Sequence, residues 1–154
     1  MRPPSPPAGA LIAALVSLAA CGPNAVTVEE FNTREVRLPD GARIRAEVMM
    51  HRDDVMRGMM FRDSLAADRG MLFIHGSPGR YPYWMYQVRI PLDILWLDAE
   101  RRIVEMSPDT PPCRTGPKEC PSYGGKQTAL MVLELAGGSI GRHQLKLGDT
   151  VGFF

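Results

Sequence analysis

Two carboxylates stand inside apolar segments of this chain, and they are the residues best placed for acid–base chemistry. Asp93 interrupts the apolar run 90–98, and Glu134 interrupts the apolar run 129–135. If these side chains point inward, each charge needs a partner, because an isolated ion is costly in an apolar interior. Two buried carboxylates could act as general acid and base, or could converge in a ligand cleft. A hydrolase-type enzyme that uses Asp93 and Glu134 is therefore one hypothesis.

Arginine side chains offer a structural interpretation of the same carboxylates. Arg57 and Arg62 flank the end of a predicted helix, and Arg89 directly precedes the run that contains Asp93. A buried ion-pair network with these arginines is the preferred interpretation, since buried charges are normally paired. No catalytic residue is predicted, because the chain has no serine in a nucleophile elbow and its three histidines are scattered.

Aromatic residues indicate a different kind of site, one for binding. Trp84 and Tyr86 follow a loop rich in glycine and proline, and Tyr123 lies in a second such loop. Aromatic rings beside a few polar groups suit small polar or carbohydrate-like ligands. The function that the sequence favours is therefore a non-enzymatic module that binds a small molecule. The predicted ligand-binding residues are Arg57, Arg62, Trp84, Tyr86, Asp93, Tyr123 and Glu134.

Methionines form a further candidate set. The chain holds ten, and several lie near Trp84 or His51 in the sequence. Thioether and imidazole groups suit Cu(I), and a tryptophan face can cover a cation. Methionine at helical spacing more often fills a hydrophobic core. Soft-metal (copper) binding is thus an alternative hypothesis, while no metal site and no cofactor are predicted. The set comprises Met49, Met50, Met56, Met59, Met60, Met71 and Met85.

Cys113 and Cys120 lie in one proline-rich segment and are expected to form a disulfide. Cysteines of an exported domain normally pair, and a redox role would favour a Cys-x-x-Cys motif at a helix start, which this segment lacks. The chain-entropy argument gives about 2.5 kcal/mol for closing so short a loop.

The N-terminus resembles the signal of a bacterial lipoprotein. Residues 8–20 form an uncharged run rich in alanine and leucine, too short to span a membrane. This run ends in Leu-Ala-Ala-Cys, which resembles a lipobox and predicts lipidation (palmitate) at Cys21. The alternative is an ordinary secretory signal with a coincidental cysteine.

The predicted organisation follows from that signal. Residues 1–20 are a lipoprotein signal peptide, residues 21–34 are the lipidated N-terminus and a tether, and residues 35–154 are a single β-rich domain. The protein is then exported and held on a membrane by its lipid, at the periplasmic face of the outer membrane in a Gram-negative cell. No nucleic-acid partner is predicted, because 18 basic and 17 acidic side chains leave no strongly basic surface.

Apolar periodicity predicts a mainly β (α+β) fold. Residues 36–50 alternate around a Pro-Asp-Gly turn and predict a hairpin, and further strands are predicted at 71–74, 90–98, 103–106, 129–135 and 151–154. A short helix is predicted around residues 53–60, with Gly58 inside it, and a helical turn at 140–145. Residues 107–126 are predicted to form a loop. Short strands at close spacing favour a small barrel-like β domain with one or two short helices.

Several motifs together resemble one bacterial and archaeal family, the domain of unknown function 192. They are found in order at residues 58–65, 70–73, 84–85, 90–94 and 132–135. The resemblance implies a small, β-rich, barrel-like fold that is often exported to the envelope, and it implies no activity. Two positions depart from the family pattern: Tyr86-Gln87-Val88 replaces the usual Lys-Asn-Thr, and His51 replaces a frequent threonine helix cap.

Overall fold

The computed structural model describes Met1 and residues 32–154, whose main element is a seven-stranded sheet curled into a half-barrel. The strands are β1 (Thr33–Arg37), β2 (Arg43–Met49), β3 (Arg69–Gly79), β4 (Tyr83–Trp84), β5 (Leu92–Leu97), β6 (Ile103–Thr110), β7 (Ser122–Tyr123), β8 (Ala129–Ala136) and β9 (Gly152–Phe153). The helices are α1 (Arg52–Arg57) and α2 (Ser139–Arg142). The large sheet has the order β6-β5-β8-β3-β2-β1-β9, and β4 pairs with β7 in a second sheet. The predicted mainly β, barrel-like fold with short helices is confirmed.

The predicted N-terminal features fall almost entirely on residues that the structure does not describe. The signal peptide 1–20, Cys21 and most of the tether 21–34 lie outside the described residues, apart from Met1 and residues 32–34. Within the described part of the chain, no helix has the length and apolar character needed to cross a membrane.

The predicted hairpin is formed by β1 and β2. Val36 pairs with Ile44 across the two antiparallel strands, and both side chains are buried while the neighbouring arginines face outward. The carboxylate of Asp40 accepts a hydrogen bond from the backbone N–H of Ala42 at 2.9 Å, which fixes the turn between the strands. Alternation of apolar and charged residues therefore gave the correct strand pair and the correct buried face.

The next strand, β3, is parallel to β2, so the chain must cross the face of the sheet between them. This crossover contains α1, which has Asp53 and Asp54 in its first turn as predicted. The prediction that Gly58 lies inside the helix is wrong, because α1 ends at Arg57 and Gly58 has φ +44°. A Cβ atom on Gly58 would also lie 3.3 Å from the ring of Phe73. Glycine is therefore needed here to end the helix close to β3.

Hydrophobic residues cover both faces of the large sheet. All six residues of β5 are buried, as its continuous apolar run predicts. One face packs in a cluster that includes Ile44, Leu72, Leu95, Leu133, Leu135, Leu145 and Val151. The opposite face packs in a cluster that includes Met59, Met71, Phe73, Met85, Ile94, Trp96 and Val132.

The proline-rich segment 107–126 is more ordered than predicted. Strand β6 continues to Thr110, and β7 forms within the segment by pairing with β4. Since β6 is an edge strand and its pairing with β5 is irregular between Ser107 and Thr110, Pro108 interrupts no regular run of backbone hydrogen bonds. Prediction of a loop throughout this segment was wrong for that reason.

Candidate functional site

The sheet separates the two buried carboxylates. Asp93 of β5 is paired with Leu135 of β8, while Glu134 of β8 is paired with Ile94 of β5. Directly opposed residues of neighbouring strands share a face, and successive residues of a strand alternate between faces. Asp93 and Glu134 therefore point to opposite faces of the sheet. The hypothesis that these two carboxylates converge as an acid–base pair in one cleft is wrong.

Asp93 is held by backbone groups. Its Oδ1 accepts hydrogen bonds from the N–H of Asp109 at 2.6 Å and of Gly138 at 3.3 Å, and its Oδ2 accepts one from the N–H of Ile140 at 2.5 Å. The side chain is fully buried. The predicted arginine partner is thus wrong for Asp93, because its negative charge is met by N–H dipoles at the end of β6 and the start of α2. This carboxylate joins two parts of the fold and has no open side for a ligand.

Glu134 has the opposite surroundings. Its side chain is 4% exposed, and its Oε2 has no hydrogen-bond partner among the described residues. Burial raises the pKa of Glu134 to about 8, and the nearby positive charge of Arg62 lowers that pKa by a smaller amount. The carboxyl group is therefore largely protonated at neutral pH, so it can donate a hydrogen bond as well as accept one.

A small pocket of about 40 Å³ opens at Glu134. Its walls come from α1 and the turn after it, from Phe73 of β3, and from the segment that carries Tyr83, Trp84 and Val88. A cavity needs about 10–15 Å³ to hold one water, so the pocket has room for a small chemical group. Apart from Glu134 and Arg57, the lining is apolar or aromatic. The pocket thus combines an apolar wall with one unsatisfied polar atom.

An aromatic surface lies at this pocket. Trp84 lines it and is 37% exposed, and the ring of Tyr86 lies 5.2 Å from the ring of Trp84 at an interplanar angle of 39°. Tyr123 of β7 is paired with Tyr83 of β4, and its side chain packs against the core cluster on this face of the sheet. We call Trp84 and Tyr86 the aromatic platform. The sequence singled out both residues, but it gave no reason to place them beside Glu134.

Arg62 lies in a larger cleft beside the pocket. Its two guanidinium nitrogens bond both oxygens of Glu47 at 2.5 and 2.6 Å. The cleft, about 360 Å³, shares Arg57, Gly58 and Met60 with the Glu134 pocket. Both arginines predicted from the sequence therefore lie near Glu134, but the hydrogen-bonded carboxylate partner described for Arg62 is Glu47. Arg89, the third predicted partner, bonds Asp63 at 2.8 Å instead.

Strained backbone is found next to this pocket. Phe61 and Gln87 have φ values of +66° and +58°, which residues other than glycine seldom adopt. The N–H of Phe61 donates a hydrogen bond to the carbonyl of Gln87 at 2.9 Å, so the two strained residues are bonded directly to one another. This bond joins the turn after α1 to the segment that carries the aromatic platform. Strain of this kind is often found at binding sites.

Tyr83 and His75 lie beside the pocket and were not predicted as site residues from the sequence. The hydroxyl of Tyr83 lies 3.2 Å from Nε2 of His75, and the His75 ring stacks on Tyr81 at 3.5 Å. Burial lowers the pKa of His75, and burial together with the negative charge of Glu134 raises the pKa of Tyr83. His75 gave no signal because the sequence places it at the start of a loop, whereas β3 in fact continues to Gly79.

The predicted disulfide between Cys113 and Cys120 is confirmed, with the two Cα atoms 5.7 Å apart. The backbone N–H of Cys113 donates to the carbonyl of Met85 at 3.1 Å, and Cys113 forms a β-bridge with Tyr86. Beyond Cys120, β7 pairs with β4. The bridged loop is therefore attached to the segment of the aromatic platform on both sides.

The methionines are divided between the core and the surface. Met59, Met71 and Met85 belong to the hydrophobic cluster around Trp96, whereas Met50 and Met56 are exposed. Within the described part of the chain, no group of three or more His, Cys, Asp or Glu side chains could hold a metal ion.

Together these features define a class: a small half-barrel β domain with a single-carboxyl pocket beside exposed aromatic rings. The chain belongs to the domain of unknown function 192 family, described as "Uncharacterized ACR", whose model matches residues 35–153. The predicted resemblance is confirmed. No curated protein matches the chain.

Two of the solved structures that are similar to this chain are the following. One is a proposed transcription regulator from Sinorhizobium meliloti 1021, with 25% sequence identity and a TM-score of 0.71, covering 79% of this chain and 93% of that chain. The other is a protein of unknown function from Novosphingobium aromaticivorans DSM 12444, with 28% identity and a TM-score of 0.68, covering 78% of this chain and 83% of that chain.

Proposed function

We propose that this protein is an exported, lipid-anchored module that binds a small polar, carbohydrate-like ligand at the Glu134 pocket and the aromatic platform. One observation carries the proposal: a partly exposed tryptophan lines a concave pocket that contains a buried, unsatisfied polar atom. Small-molecule sites typically combine an apolar, aromatic wall with a few fixed polar groups. A buried polar atom without a partner is costly, so a ligand that satisfies it gains affinity.

The surroundings support binding more than hydrolysis. Asp93 lies on the other face of the sheet, so it cannot act as the acid–base partner of Glu134. Aromatic rings pack well against the C–H face of a ring-shaped polar molecule, and Trp84 with Tyr86 offers such a surface. The neighbouring cleft supplies further polar groups from Arg57, Glu47 and Arg62.

The membrane anchor is the second part of the proposal. The motif Leu-Ala-Ala-Cys at residues 18–21 supports acylation of Cys21, with the domain held at the periplasmic face of the outer membrane in a Gram-negative cell. The similar Sinorhizobium meliloti protein is described as a proposed transcription regulator. We do not extend that role to this chain, because its nearly equal numbers of basic and acidic side chains do not favour binding to DNA.

Binding is tested by a thermal-shift screen of the purified full-length protein in detergent, against a panel of sugars, sugar alcohols and amino acids. A ligand that binds the native state raises the apparent melting temperature with concentration. We expect a sugar or polyol to do so, and we expect Trp84→Ala to abolish the effect. Phe154→Ala is the control, since Phe154 is an exposed aromatic residue beyond β9 and does not line the pocket. A shift that survives in Trp84→Ala places the ligand elsewhere and contradicts the proposal.

The anchor is tested separately by growing cells with a labelled fatty acid. Wild-type protein should carry the label, and Cys21→Ser should carry none and remain as unprocessed precursor. Cys113→Ser is the control, because loss of a different cysteine should leave the label in place. Label on the Cys21→Ser protein would contradict the lipoprotein assignment.

A further inference from the structure

Glu134 determines which chemical group can enter the pocket. Among residues 32–154, no group forms a hydrogen bond with the buried Oε2 of Glu134. The walls around it are mostly the rings of Phe73 and Trp84 and the residues of α1 and the following turn. A group that enters the pocket must therefore form its hydrogen bonds with this carboxyl group.

We propose that the group entering the pocket is an uncharged alcohol hydroxyl, held by the Glu134 carboxyl group as both donor and acceptor, so that the ligand is a sugar or another polyol. This inference rests on the proposed function and specifies the ligand class. A hydroxyl has one donor and two acceptor positions, and a neutral carboxyl group has one O–H donor and remaining acceptor capacity. One hydroxyl can thus satisfy the carboxyl group completely, without leaving a buried donor or acceptor unpaired.

Size limits the part of the ligand that enters. The pocket measures about 40 Å³, against about 360 Å³ for the neighbouring cleft, so it suits a hydroxyl on one carbon better than a whole sugar ring. The ring would then remain outside, where Trp84 is partly exposed and Tyr86 lies beside it. A carboxylate is disfavoured for a different reason, because a charged group loses much of its hydration in an apolar pocket.

Charge disfavours an ammonium group. Three ionisable groups lie around Glu134: Arg57, Arg62 and Tyr83. Arg62 is paired with Glu47, and the hydroxyl of Tyr83 is within hydrogen-bonding distance of His75. Burial favours the neutral form of Glu134, so a cation would have to ionise it before pairing. Arg57 lines both the pocket and the neighbouring cleft, so a cation would meet a second positively charged residue there.

The two tryptophans of the chain provide a built-in test. Trp84 lines the pocket, while Trp96 is fully buried and donates its indole N–H to the carbonyl of Tyr81 at 2.7 Å. In a nitrogen-15-labelled sample of the full-length protein, the two indole N–H resonances therefore report separately on the pocket and on the intact fold.

The probes are ethanol, ethylammonium and acetate, which share a two-carbon skeleton and differ in charge, with methyl β-glucopyranoside as the sugar. At pH 7 we expect ethanol and the glucoside to shift the Trp84 resonance in a saturable way, with the Trp96 resonance unchanged. Ethylammonium and acetate should cause no shift at the same concentrations. A saturable Trp84 shift with either ion, at concentrations equal to or below those of ethanol, would overturn the neutral-hydroxyl inference.

Variants of Glu134 test the carboxyl group itself. Glu134→Gln keeps a donor and an acceptor in place without an ionisable proton, so glucoside affinity should stay within about threefold of wild type. Glu134→Leu removes both and should weaken binding at least about tenfold, a loss typical of one buried hydrogen-bonded pair. Glu100→Gln, an exposed glutamate on the turn after β5, is the control. The Trp96 resonance checks the fold of each variant, and if Glu134→Leu does not fold, Glu134→Gln and the probe series still decide.

Failure of this inference is distinguishable from failure of the proposed function. A sugar that requires Trp84 but binds Glu134→Leu as tightly as wild type would overturn the role of Glu134 and leave the binding site in place. Absence of any Trp84 shift with every probe, together with no stabilising sugar or polyol in the thermal-shift screen, would overturn both.

Discussion

Asp93 and Glu134 are buried carboxylates on adjacent strands, and they differ in how the surrounding chain satisfies them. Asp93 accepts hydrogen bonds from three backbone N–H groups, whereas Oε2 of Glu134 has no partner among the described residues. Both stand in apolar runs of similar composition. The difference shows that burial of an acid does not by itself indicate a functional site. The number of satisfied hydrogen-bonding positions separates a structural carboxylate from one that is open to a ligand.

The contrast has a simple geometric cause. On the Asp93 face, the chain brings backbone N–H groups of the β6 end and the α2 start directly to the carboxylate. On the Glu134 face, the nearest neighbours are side chains, mainly apolar, from α1, β3 and β4. Backbone donors are fixed by the fold and cannot leave, but an apolar wall provides no hydrogen bond. Among the described residues, Oε2 of Glu134 is consequently left without a hydrogen-bond partner.

The largest expected effect is that of Asp93→Asn. The amide group keeps one acceptor oxygen, but its NH₂ group would face a backbone N–H donor, and the charge that strengthens all three hydrogen bonds is lost. We expect the free energy of unfolding to fall by about 3–5 kcal/mol, measured by urea denaturation. Asp63→Asn is the control, because Asp63 pairs with Arg89 at the exposed surface and should cost less than about 1 kcal/mol. A similar midpoint for wild type and Asp93→Asn would remove the structural role assigned to Asp93.

Glu134→Gln should show the opposite behaviour, and its effect should depend on pH. The pKa of Glu134 is about 8 in the folded protein and near the ordinary 4.5 in the unfolded chain. Between these values the folded state holds a proton that the unfolded state has released, so the stability of the wild type falls as pH rises. The slope is at most about 1.4 kcal/mol per pH unit, which implies that Glu134→Gln gains about 2–3 kcal/mol over wild type between pH 5 and pH 7.

Urea denaturation of both proteins at several pH values measures this gap. Other ionisable groups contribute equally to the two proteins, so the difference between the two curves isolates Glu134. If the free energy of unfolding changed with pH in the same way for both proteins, the pKa of Glu134 would be the same in the folded and unfolded states. Glu134 would then not differ from Asp93 in the way proposed.

The smallest expected effect concerns Glu47, whose carboxylate accepts two hydrogen bonds from the guanidinium of Arg62. Glu47→Gln should lower the free energy of unfolding by about 0.5–1 kcal/mol, since the pair is partly exposed. It should also lower the pKa of Glu134, because the positive charge of Arg62 is no longer compensated by Glu47. Carbon-13 NMR titration of the Glu134 carboxyl group measures this change. Glu35→Gln, which breaks an exposed pair with Arg43, is the control and should leave the Glu134 titration unchanged.

Local patterns made much of the fold predictable. The hairpin of β1 and β2, the fully buried β5 and the acidic start of α1 all follow from residues that are close in sequence. Prediction failed where distant parts of the chain decide the outcome. The partners of Asp93 come from residues 109, 138 and 140, and they are backbone atoms, which leave no signature in side-chain composition.

The candidate site was predictable in its residues but not in its geometry. The sequence indicated Trp84 and Tyr86 as aromatic residues after a loop rich in glycine and proline, and Glu134 as a charge within an apolar run. Their proximity depends on the register between β5 and β8 and on the pairing of β4 with β7, neither of which a single sequence specifies. The same register decides that Asp93 and Glu134 face apart, because a slip of one residue between β5 and β8 would place both side chains on one face of the sheet.

The disulfide between Cys113 and Cys120 stabilises the segment that carries the aromatic platform. Strands β4 and β7 have two residues each, and a two-stranded sheet of that size is marginal without support. The Cys113–Cys120 bridge shortens the path between the β-bridge at Tyr86 and the pairing of β4 with β7, so fewer conformations compete with the closed form. Amide hydrogen exchange at Trp84 and Tyr123 should therefore accelerate when the bridge is reduced, while exchange in β5 and β8 keeps its rate. We therefore expect the platform to open separately from β5 and β8, at a rate that depends on the disulfide as well as on the packing of Met85 in the core.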